Sequence, residues 1–303
     1  MKIIVIGHPC LDIIHKNEEI LTSYGGIIYS LIGFLIAVRK DDLIFPFFQI
    51  NEEHSSKYFE ILNSYPQIKK DLLSISSSQM NVVHLFFNGE QLNFECYQST
   101  SPKIEIKRNA HLISKDSNFY INMISGFELD IEDLKFIRNN FTGKIYFDFH
   151  TLTRGMNEEG KRIYRPIENW REWVMNCDVI QMNEIERQNL SPEKFNEEEF
   201  AEEAIKSGCK IVNITKGDRG ATSYFLEGQK IKRLSIQPET GLKFKSNVGC
   251  GDIFGAVFAY NYFRNEKIES CLKEAVEISS RRIEIDKIEN IIDKLKKAES
   301  DNL

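Results

Sequence analysis

The residues best suited to chemistry form one short segment, Gly249-Cys250-Gly251-Asp252. Apolar residues at helical spacing follow over positions 253–259, so the glycines come just before a predicted helix N-terminus. Unpaired backbone N–H groups and the helix dipole favour a bound phosphate there, and glycine lets the backbone approach it closely. A carboxylate at this point can accept the proton of a hydroxyl that attacks a γ-phosphate. The alternative reading is an aspartate that only caps a helix.

A second segment, residues 215–220, reads T-x-G-x-x-G and follows a predicted strand. Its members with small or flexible side chains are Thr215, Gly217 and Gly220. Such residues let a nucleotide lie flat on the loop, although the same pattern is good β-turn material.

A third pair, Asn183 and Glu186, follows the predicted strand 179–182. A spacing of three places both side chains on one face of a first helical turn. An amide and a carboxylate in that position suit phosphate oxygens and Mg²⁺-bound water, with Glu186 as the metal-side residue acting through water. A capping pair at a helix start is the alternative.

The elements that must position these residues alternate between strands and helices. The predicted strands are 2–6, 119–124, 144–149, 179–182 and 210–214, and the predicted helices include 31–38, 131–140 and 197–206. This order predicts an α/β fold with a mainly parallel central sheet between helices. In such a sheet, ligands bind beyond the carboxyl ends of the strands.

Two stretches, 12–21 and 93–106, instead alternate apolar and polar residues. Period two predicts strands with one buried face, which we interpret as a small antiparallel β lid over 12–24 and 88–107. A further strand is predicted over 82–87. Because no linker-like segment interrupts the chain, we predict one domain over residues 1–303.

Composition narrows the class of protein. The 303 residues are 42% hydrophobic and 28% charged, with a formal net charge of −6, which argues against a nucleic-acid or anionic-membrane surface. No apolar run approaches the roughly 20 residues of a membrane span, and no signal peptide is visible. The six scattered cysteines predict neither a zinc site nor a disulfide framework. We therefore expect a soluble cytoplasmic protein.

Taken in order, the three motifs resemble the nucleotide and catalytic half of ribokinase/PfkB-type carbohydrate kinases. The resemblance implies a three-layer sandwich with a β lid, an ATP- and Mg²⁺-dependent phosphotransferase, and Asp252 as the catalytic base. It also implies that Gly249, Cys250 and Gly251 form an anion hole. Asn183 and Glu186 would organise magnesium and phosphates, and the 215–220 loop would contact the nucleotide.

The N-terminal half resembles the family less tightly. Its implied substrate-binding residues are Asp12, Gly25, Gly26 and Ser30. Asp148, after the strand 144–149, matches a position where the family often has Asp. Some family members pair through the lid, so a homodimer is an additional expectation.

Departures from the family pattern occur in both halves of the chain, and they alter the sugar-recognition residues more than the phosphoryl-transfer residues. The leading Asp-Thr of the catalytic motif is Ser246-Asn247, and the asparagine of the substrate loop is Ser30. The usual G-x-D-x-x-G is absent, with residues 51–54 roughly in its place. These changes make ordinary ribose or fructose phosphorylation a poor expectation.

The leading hypothesis is therefore transfer of the γ-phosphoryl group of ATP to a hydroxyl of a sugar or sugar-like molecule. A nucleoside kinase and a non-catalytic ligand-binding relative of the same fold are the alternatives. A dinucleotide oxidoreductase fits poorly, because the first strand ends without G-x-G-x-x-G. We predict structural roles for His8 and His150, and a solvated basic stretch at Arg154, Arg162 and Arg165.

Overall fold

The computed structural model describes residues 1–89, 91–285 and 288–300. The strands are β1 (Lys2–Ile6), β2 (Pro9–Lys16), β3 (Glu19–Gly26), β4 (Leu43–Phe47), β5 (Gln49–Asn51), β6 (Ser74–Ser76), β7 (Asn81–Asn88), β8 (Gln91–Ser99), β9 (Asn118–Asn122), β10 (Ile145–Asp148), β11 (Arg154–Met156), β12 (Arg162–Tyr164), β13 (Val179–Asn183), β14 (Ile211–Thr215), β15 (Ala221–Glu227) and β16 (Lys230–Ile236).

The α-helices of the same described ranges are α1 (Ile27–Ala37), α2 (Ser55–Leu62), α3 (Ile106–Asn109), α4 (Ile131–Asn140), α5 (Trp170–Met175), α6 (Glu184–Leu190), α7 (Glu197–Ser207), α8 (Cys250–Phe263), α9 (Ile268–Arg281) and α10 (Ile291–Ser300). Short 3₁₀ turns connect several of them, including one at Arg282–Glu284.

The large sheet has the strand order β16-β15-β14-β13-β10-β9-β1-β4. Its strands from β14 to β4 run parallel, whereas β15 and β16 form an antiparallel edge. The parallel strands are apolar and buried, as expected where helices cover both faces. Helices α1, α8, α9 and α10 pack together on one face, and α4, α5 and α7 pack together on the other. The predicted mainly parallel sandwich is confirmed.

A smaller sheet, here called the lid, has the order β3-β2-β7-β8. We predicted it to be antiparallel, but β2 pairs with β7 in parallel, because the chain leaves through α1, β4 and α2 before it returns. Its second part is the β7–β8 hairpin over residues 81–99 and does not extend to 107. The isoleucines at 104 and 106 are buried in the main core instead, and α3 begins at Ile106.

Close packing of two helices fixes the position of α8. A β-carbon at Gly33 of α1 would lie 2.8 Å from the Cβ of Ala256, so the absent side chain lets α1 and α8 approach closely. Both helices are buried along nearly their whole length. The N-terminus of α8 is thereby held over the carboxyl ends of the parallel strands. Within the described ranges, no helix has the length and hydropathy needed to cross a bilayer.

Candidate active site

Neighbouring parallel strands end at one edge of the large sheet, and polar residues stand at those ends. Asp148 of β10 lies beside Asn122 of β9, and Asn183 of β13 lies beside Thr215 of β14. The start of α8 faces the same edge, because Gln181 of β13 donates to the carbonyl of Gly251 at 3.0 Å. The motifs that are separate in sequence therefore meet at the edge where open α/β sheets bind ligands.

Asp252 stands in the first turn of α8, and Gly249 is the residue before that helix. Gly249 has φ 82°, and a β-carbon there would lie 2.3 Å from the ring of Tyr29, so both conformation and space require glycine. No atom of another part of the described chain lies within 4 Å of the β-carbon position of Gly251. The turn thus presents open space in front of a helix N-terminus, as an anion site requires.

Asn122 holds the Asp252 carboxylate. Its Nδ2 atom donates to Asp252 Oδ1 at 2.7 Å and lies 3.1 Å from the hydroxyl of Ser30. Ser30 in turn contacts the hydroxyl of Tyr120 at 3.3 Å and is fully buried. Ser30 was predicted to bind substrate, and the structure places its hydroxyl between Asn122 and Tyr120.

A second polar chain crosses the sheet beneath the site. Gln181 donates to Asp148 Oδ2 at 2.6 Å, and its Oε1 accepts from the hydroxyl of Tyr146 at 2.5 Å. Asn213 continues the chain to Tyr146 at 3.3 Å. Sequence reasoning missed Asn122 and Gln181. The available signal was a polar residue within or at the end of an otherwise apolar parallel strand, which needs a partner when buried.

The lid and α1 bring the other predicted residues together on the opposite side of Asp252. A β-carbon at Gly25 would lie 2.8 Å from Asp12 Oδ2 and 2.9 Å from the ring of Tyr29. Gly26 has φ 65° and comes directly before α1, where a β-carbon would meet the carbonyl of His8 at 2.6 Å. The two glycines therefore allow the chain to pass tightly around Asp12.

Asn183 and Glu186 form a reciprocal capping box at the start of α6. Asn183 Oδ1 accepts from the backbone of Glu186, and Glu186 Oε2 accepts from that of Asn183, both at 2.8 Å. The capping alternative is thus what the hydrogen bonds show. The second oxygen of Glu186 lies 3.9 Å from a guanidinium nitrogen of Arg154, and this carboxylate is near enough to Asp252 for that charge to raise its pKa.

The 215–220 loop follows β14 directly. A 3₁₀ turn covers Gly217–Arg219, and Gly217 at φ 59° has open space beyond its α-carbon. Gly220 is different, because a β-carbon there would lie 2.0 Å from the carbonyl of Ile236 on β16. Gly220 is thus required by the edge of the sheet, and replacing it would test the fold rather than nucleotide binding.

The site carries more buried acid than base. Burial, together with the charge of Asp252, raises the pKa of Asp12 to about 6. Burial likewise raises the pKa values of Asp148, Glu186 and Asp252, which with Asp12 form an acidic cluster. The charge of Asp252 raises the pKa values of Asp148 and Glu186 as well, whereas the charge of His150 lowers those of Glu186 and Asp252. The charge of His150 lowers the pKa values of Asp12, Glu186 and Asp252. The backbone of His150 has a positive φ of 34°. Its buried Nδ1 has no hydrogen-bond partner among the described residues.

His8, in contrast, is fully committed. Its ring contacts the hydroxyl of Ser125 at 2.9 Å, the carbonyl of Pro102 at 3.0 Å and the carboxylate of Glu128 at 3.3 Å. This agrees with a structural role. His150 lies at the acidic cluster instead, so the same interpretation does not extend to it.

The predicted solvated basic stretch is wrong for two of its three arginines. Arg162 is 9% exposed and donates to the hydroxyl of Tyr97 at 2.7 Å and to the carbonyl of Ser125 at 2.8 Å. Arg154 pairs with Glu95 of the lid. The β11–β12 hairpin presents both side chains toward the lid, which no local pattern indicates. Arg165 is exposed.

In the part of the chain that the structure describes, no three His, Cys, Asp or Glu side chains lie close enough to hold a metal ion by themselves. The acidic cluster nevertheless has the oxygen chemistry that Mg²⁺ prefers. A magnesium ion there would need phosphate oxygens or water to complete its coordination.

Comparisons with known proteins show what the chain resembles. A family model described as pfkB family carbohydrate kinase matches residues 159–285. A search of curated proteins gives no match. Among solved structures, a pyrophosphate-dependent kinase in the ribokinase family, complexed with sulfate, is 16% identical with a TM-score of 0.77, and the match covers 95% of this chain and 96% of that one.

Two further structures carry sugar or nucleoside ligands. Ribokinase from Arabidopsis thaliana, complexed with ribose and ATP, is 16% identical with a TM-score of 0.69, over 97% of this chain and 98% of that one. Aminoimidazole riboside kinase from Salmonella enterica, complexed with aminoimidazole riboside and an ATP analogue, is 14% identical with a TM-score of 0.73, over 98% and 99%. The ribokinase-like fold and the predicted resemblance to ribokinase/PfkB-type carbohydrate kinases are confirmed.

Proposed function

We propose that this ribokinase-like chain is a single-domain kinase that transfers the γ-phosphoryl group of ATP to a hydroxyl of a sugar or sugar-like small molecule. The observation that carries the proposal is the position of Asp252. It stands in the first turn of α8, after a left-handed glycine, with one oxygen fixed by Asn122 at 2.7 Å. Asp12, the proposed acceptor ligand, is close enough for the charge of Asp252 to raise its pKa.

In this mechanism Asp252 takes the proton of the acceptor hydroxyl as that oxygen attacks the phosphoryl group. Its raised pKa makes it a better base than a solvated aspartate, while the hydrogen bond from Asn122 keeps the carboxylate oriented. The backbone N–H groups of Gly249, Cys250 and Gly251 stabilise charge on the transferred phosphoryl group.

The donor lies along the ends of β13 and β14. Thr215, Gly217 and Gly220 line the nucleotide, and Asn183 and Glu186 stand at its phosphate end. When bound, Mg²⁺ neutralises charge on the phosphate oxygens. Glu186 would hold it through water, because its Oε2 is already engaged in the capping box.

On the acceptor side, Asp12 and the glycine turn at Gly25 and Gly26 bind substrate hydroxyls. Ser30 is left out of the acceptor contacts, since its hydroxyl is shared between Asn122 and Tyr120. A nucleoside acceptor remains the second candidate, because Ser30 replaces the asparagine that the family uses in its substrate loop. A panel of polyols, sugars and nucleosides separates the two.

Pairing of two copies through the lid is part of the proposal. The lid carries a group of stacked aromatic rings, whose contacting pairs have centroids 4.4 to 6.2 Å apart. Its members are His15, His84, Phe86 and Phe94. Such a partly buried aromatic row suits a protein contact. Light scattering in solution measures whether the protein is a dimer.

The test begins with a thermal-shift screen of that panel in the presence of magnesium and a non-hydrolysable ATP analogue, because a bound ligand raises apparent stability. Turnover is then measured with the best acceptor. Asp252→Asn should lower kcat by about 10²–10⁴-fold and leave nucleotide affinity nearly unchanged.

Asp133→Asn is the matched control. Asp133 is also a buried aspartate in the first turn of a helix, α4, but it pairs with Lys103 and lies outside the site. We expect it to change stability without changing kcat. Wild-type turnover by Asp252→Asn would refute the proposed mechanism, and binding of an acceptor without any turnover by the wild type would favour the non-catalytic alternative.

A further inference from the structure

One buried arginine beside the glycine turn has no acid to neutralise it among the residues that the structure describes. Arg282 is 1% exposed and stands at the start of the 3₁₀ turn Arg282–Glu284, just after α9. Its Nη1 donates to the carbonyl of Ile285, and its Nε has no hydrogen-bond partner among the described residues. Within those same residues, no carboxylate lies at ion-pair distance from its guanidinium, whereas the neighbouring Arg281 pairs with Glu277 and Glu239.

The backbone places this turn against the segment that leads into the catalytic motif. The N–H groups of Lys245 and Ser246 both donate to the carbonyl of Ile283, at 2.7 and 3.1 Å. The guanidinium carbon of Arg282 lies 5.8 Å from the ring centroid of Tyr29. That ring is the one that fills the space beside Gly249. Arg282, Tyr29 and the glycine turn are thus successive neighbours.

The charge of Arg282 reaches the turn itself. Burial raises the pKa of the Cys250 thiol to about 12, and the Arg282 charge acts in the opposite direction. A buried positive charge without a counter-charge is costly, because the interior solvates it poorly. Its field at a neighbouring site is also strong, because little water screens it.

We infer that Arg282 is an electrostatic donor-site residue, whose buried charge strengthens binding of the terminal phosphate of a polyphosphate donor at the N-terminus of α8. The inference rests on the proposed function. The phosphate is held by the N–H groups of the turn, and Arg282 acts on it from beneath without needing to contact it. The bound anion supplies the counter-charge that the described part of the chain lacks.

The same chemistry fits two donors, MgATP and Mg-pyrophosphate, since both end in a phosphate of high negative charge. A donor that is bound chiefly by the turn and Arg282 needs no surface that binds an adenine ring. The two donors are therefore separate arms of the test.

The experiment measures binding of inorganic pyrophosphate and of an ATP analogue by calorimetry, each with magnesium. Arg282→Met should raise the Kd of both anions about tenfold or more, because it removes a charge that no solvent screens. Arg282→Lys should keep most of the affinity, since it preserves the charge. An increase confined to the ATP arm would overturn the inference, since the effect must follow the shared phosphate.

Stability of the free protein provides the second readout. Without ligand, Arg282→Met should melt at the same temperature as the wild type or higher, because an uncompensated buried charge has been removed. A variant that fails to fold, or that melts lower with unchanged anion affinity, shows a structural guanidinium and overturns the inference.

Arg281→Met is the matched control. Arg281 is the preceding residue, but its guanidinium pairs with Glu277 at 2.9 Å and Glu239 at 3.6 Å. We expect no change in anion affinity. A wild-type protein that binds neither anion overturns both this inference and the proposed function. A wild type that binds, with Arg282→Met binding equally well, overturns this inference alone.

Discussion

Glu128 and Asp12 are both buried carboxylates near the first strand of the large sheet, yet their pKa values move in opposite directions. Burial would raise the pKa of Glu128, but the charge and hydrogen bond of His8 and the backbone N–H donor of Ser125 lower it to about 2. For Asp12, burial and the charge of Asp252 raise the pKa to about 6, because the hydrogen bond with Cys10 and the charge of His150 offset only part of that rise.

The difference separates an acid that completes the fold from an acid that awaits a ligand. The network around Glu128 is closed, since each of its oxygens accepts a hydrogen bond from the protein. The acids of the site repel one another instead, and the pKa values of Asp148, Glu186 and Asp252 are raised, as that of Asp12 is. Raised pKa values of this kind are typical of functional sites, because binding residues cannot also be neutralised by the protein.

The largest effect on stability is expected from Glu128→Gln. Loss of the charge that accepts several buried donors should lower the free energy of unfolding by about 2–4 kcal/mol at pH 7. Because the folded-state pKa of Glu128 is depressed, its contribution is present above pH 4.5 and is lost as the pH falls toward about 2. Urea denaturation at several pH values measures it.

Glu132→Gln, on the exposed face of α4, is the control and should change stability by less than about 0.5 kcal/mol. If Glu128→Gln were equally neutral, the closed network would not be stabilising and the comparison with Asp12 would fail.

Asp12→Asn should have the opposite sign. The folded-state pKa of Asp12 is raised from 3.8 to about 6, so the wild-type protein loses stability as the pH rises through that window. Removing the charge should raise the free energy of unfolding by about 1–3 kcal/mol at pH 7 and make its pH dependence flatter between those values. Denaturation at pH 4.5 and pH 7.5 measures both effects.

The same variant should lose acceptor binding in the thermal-shift screen, which links the stability cost to function. Asp41→Asn, at an exposed loop position, should change neither property. A destabilised Asp12→Asn protein would show that Asp12 belongs with Glu128 as a structural acid.

The smallest effect is expected from Asn122→Ala, which removes the donor to Asp252 without changing a charge. The hydrogen bond from Asn122 lowers the pKa of Asp252, so its loss should move the acid limb of the kcat/KM profile to higher pH. We also expect kcat at neutral pH to fall about tenfold, in line with a buried hydrogen bond to a charged group.

Asn118→Ala is the control on the other end of β9, where the side chain accepts from the backbone of Lys144 at 3.0 Å. It should lower stability without moving the pH profile. If both variants shifted the profile alike, Asn122 would act through the strand and not through its contact with Asp252.

The fold was largely predictable, because apolar parallel strands and amphipathic helices carry strong periodic patterns. The predicted strand at 2–6 and the predicted helix at 131–140 match β1 and α4. The lid was less predictable. Its parallel pairing of β2 with β7 depends on where a long connection returns, and Ile104 and Ile106 alternate like a strand although the main core buries them.

The location of the three motifs at strand ends and at a helix start was predictable, since glycine turns and the ends of apolar strands leave local patterns in the sequence. Their supporting residues were not. Asn122 and Gln181 are buried polar residues in largely apolar strands, and only the register of β9, β10 and β13 brings them to Asp252 and Asp148. Arg282 gave no signal either, because its burial depends on how the segment after α9 folds back onto the catalytic motif.

The contact between Tyr29 and Gly249 has a thermodynamic consequence. Tyr29 belongs to the first turn of α1, immediately after the glycine pair that bends around Asp12, while Gly249 begins the donor turn. With a ring filling the space where a β-carbon would be, neither segment can move far without the other. Occupancy on one side should therefore change affinity on the other, and linkage requires the effect to be reciprocal. The affinities for the proposed donor and acceptor would then be coupled through the ring of Tyr29.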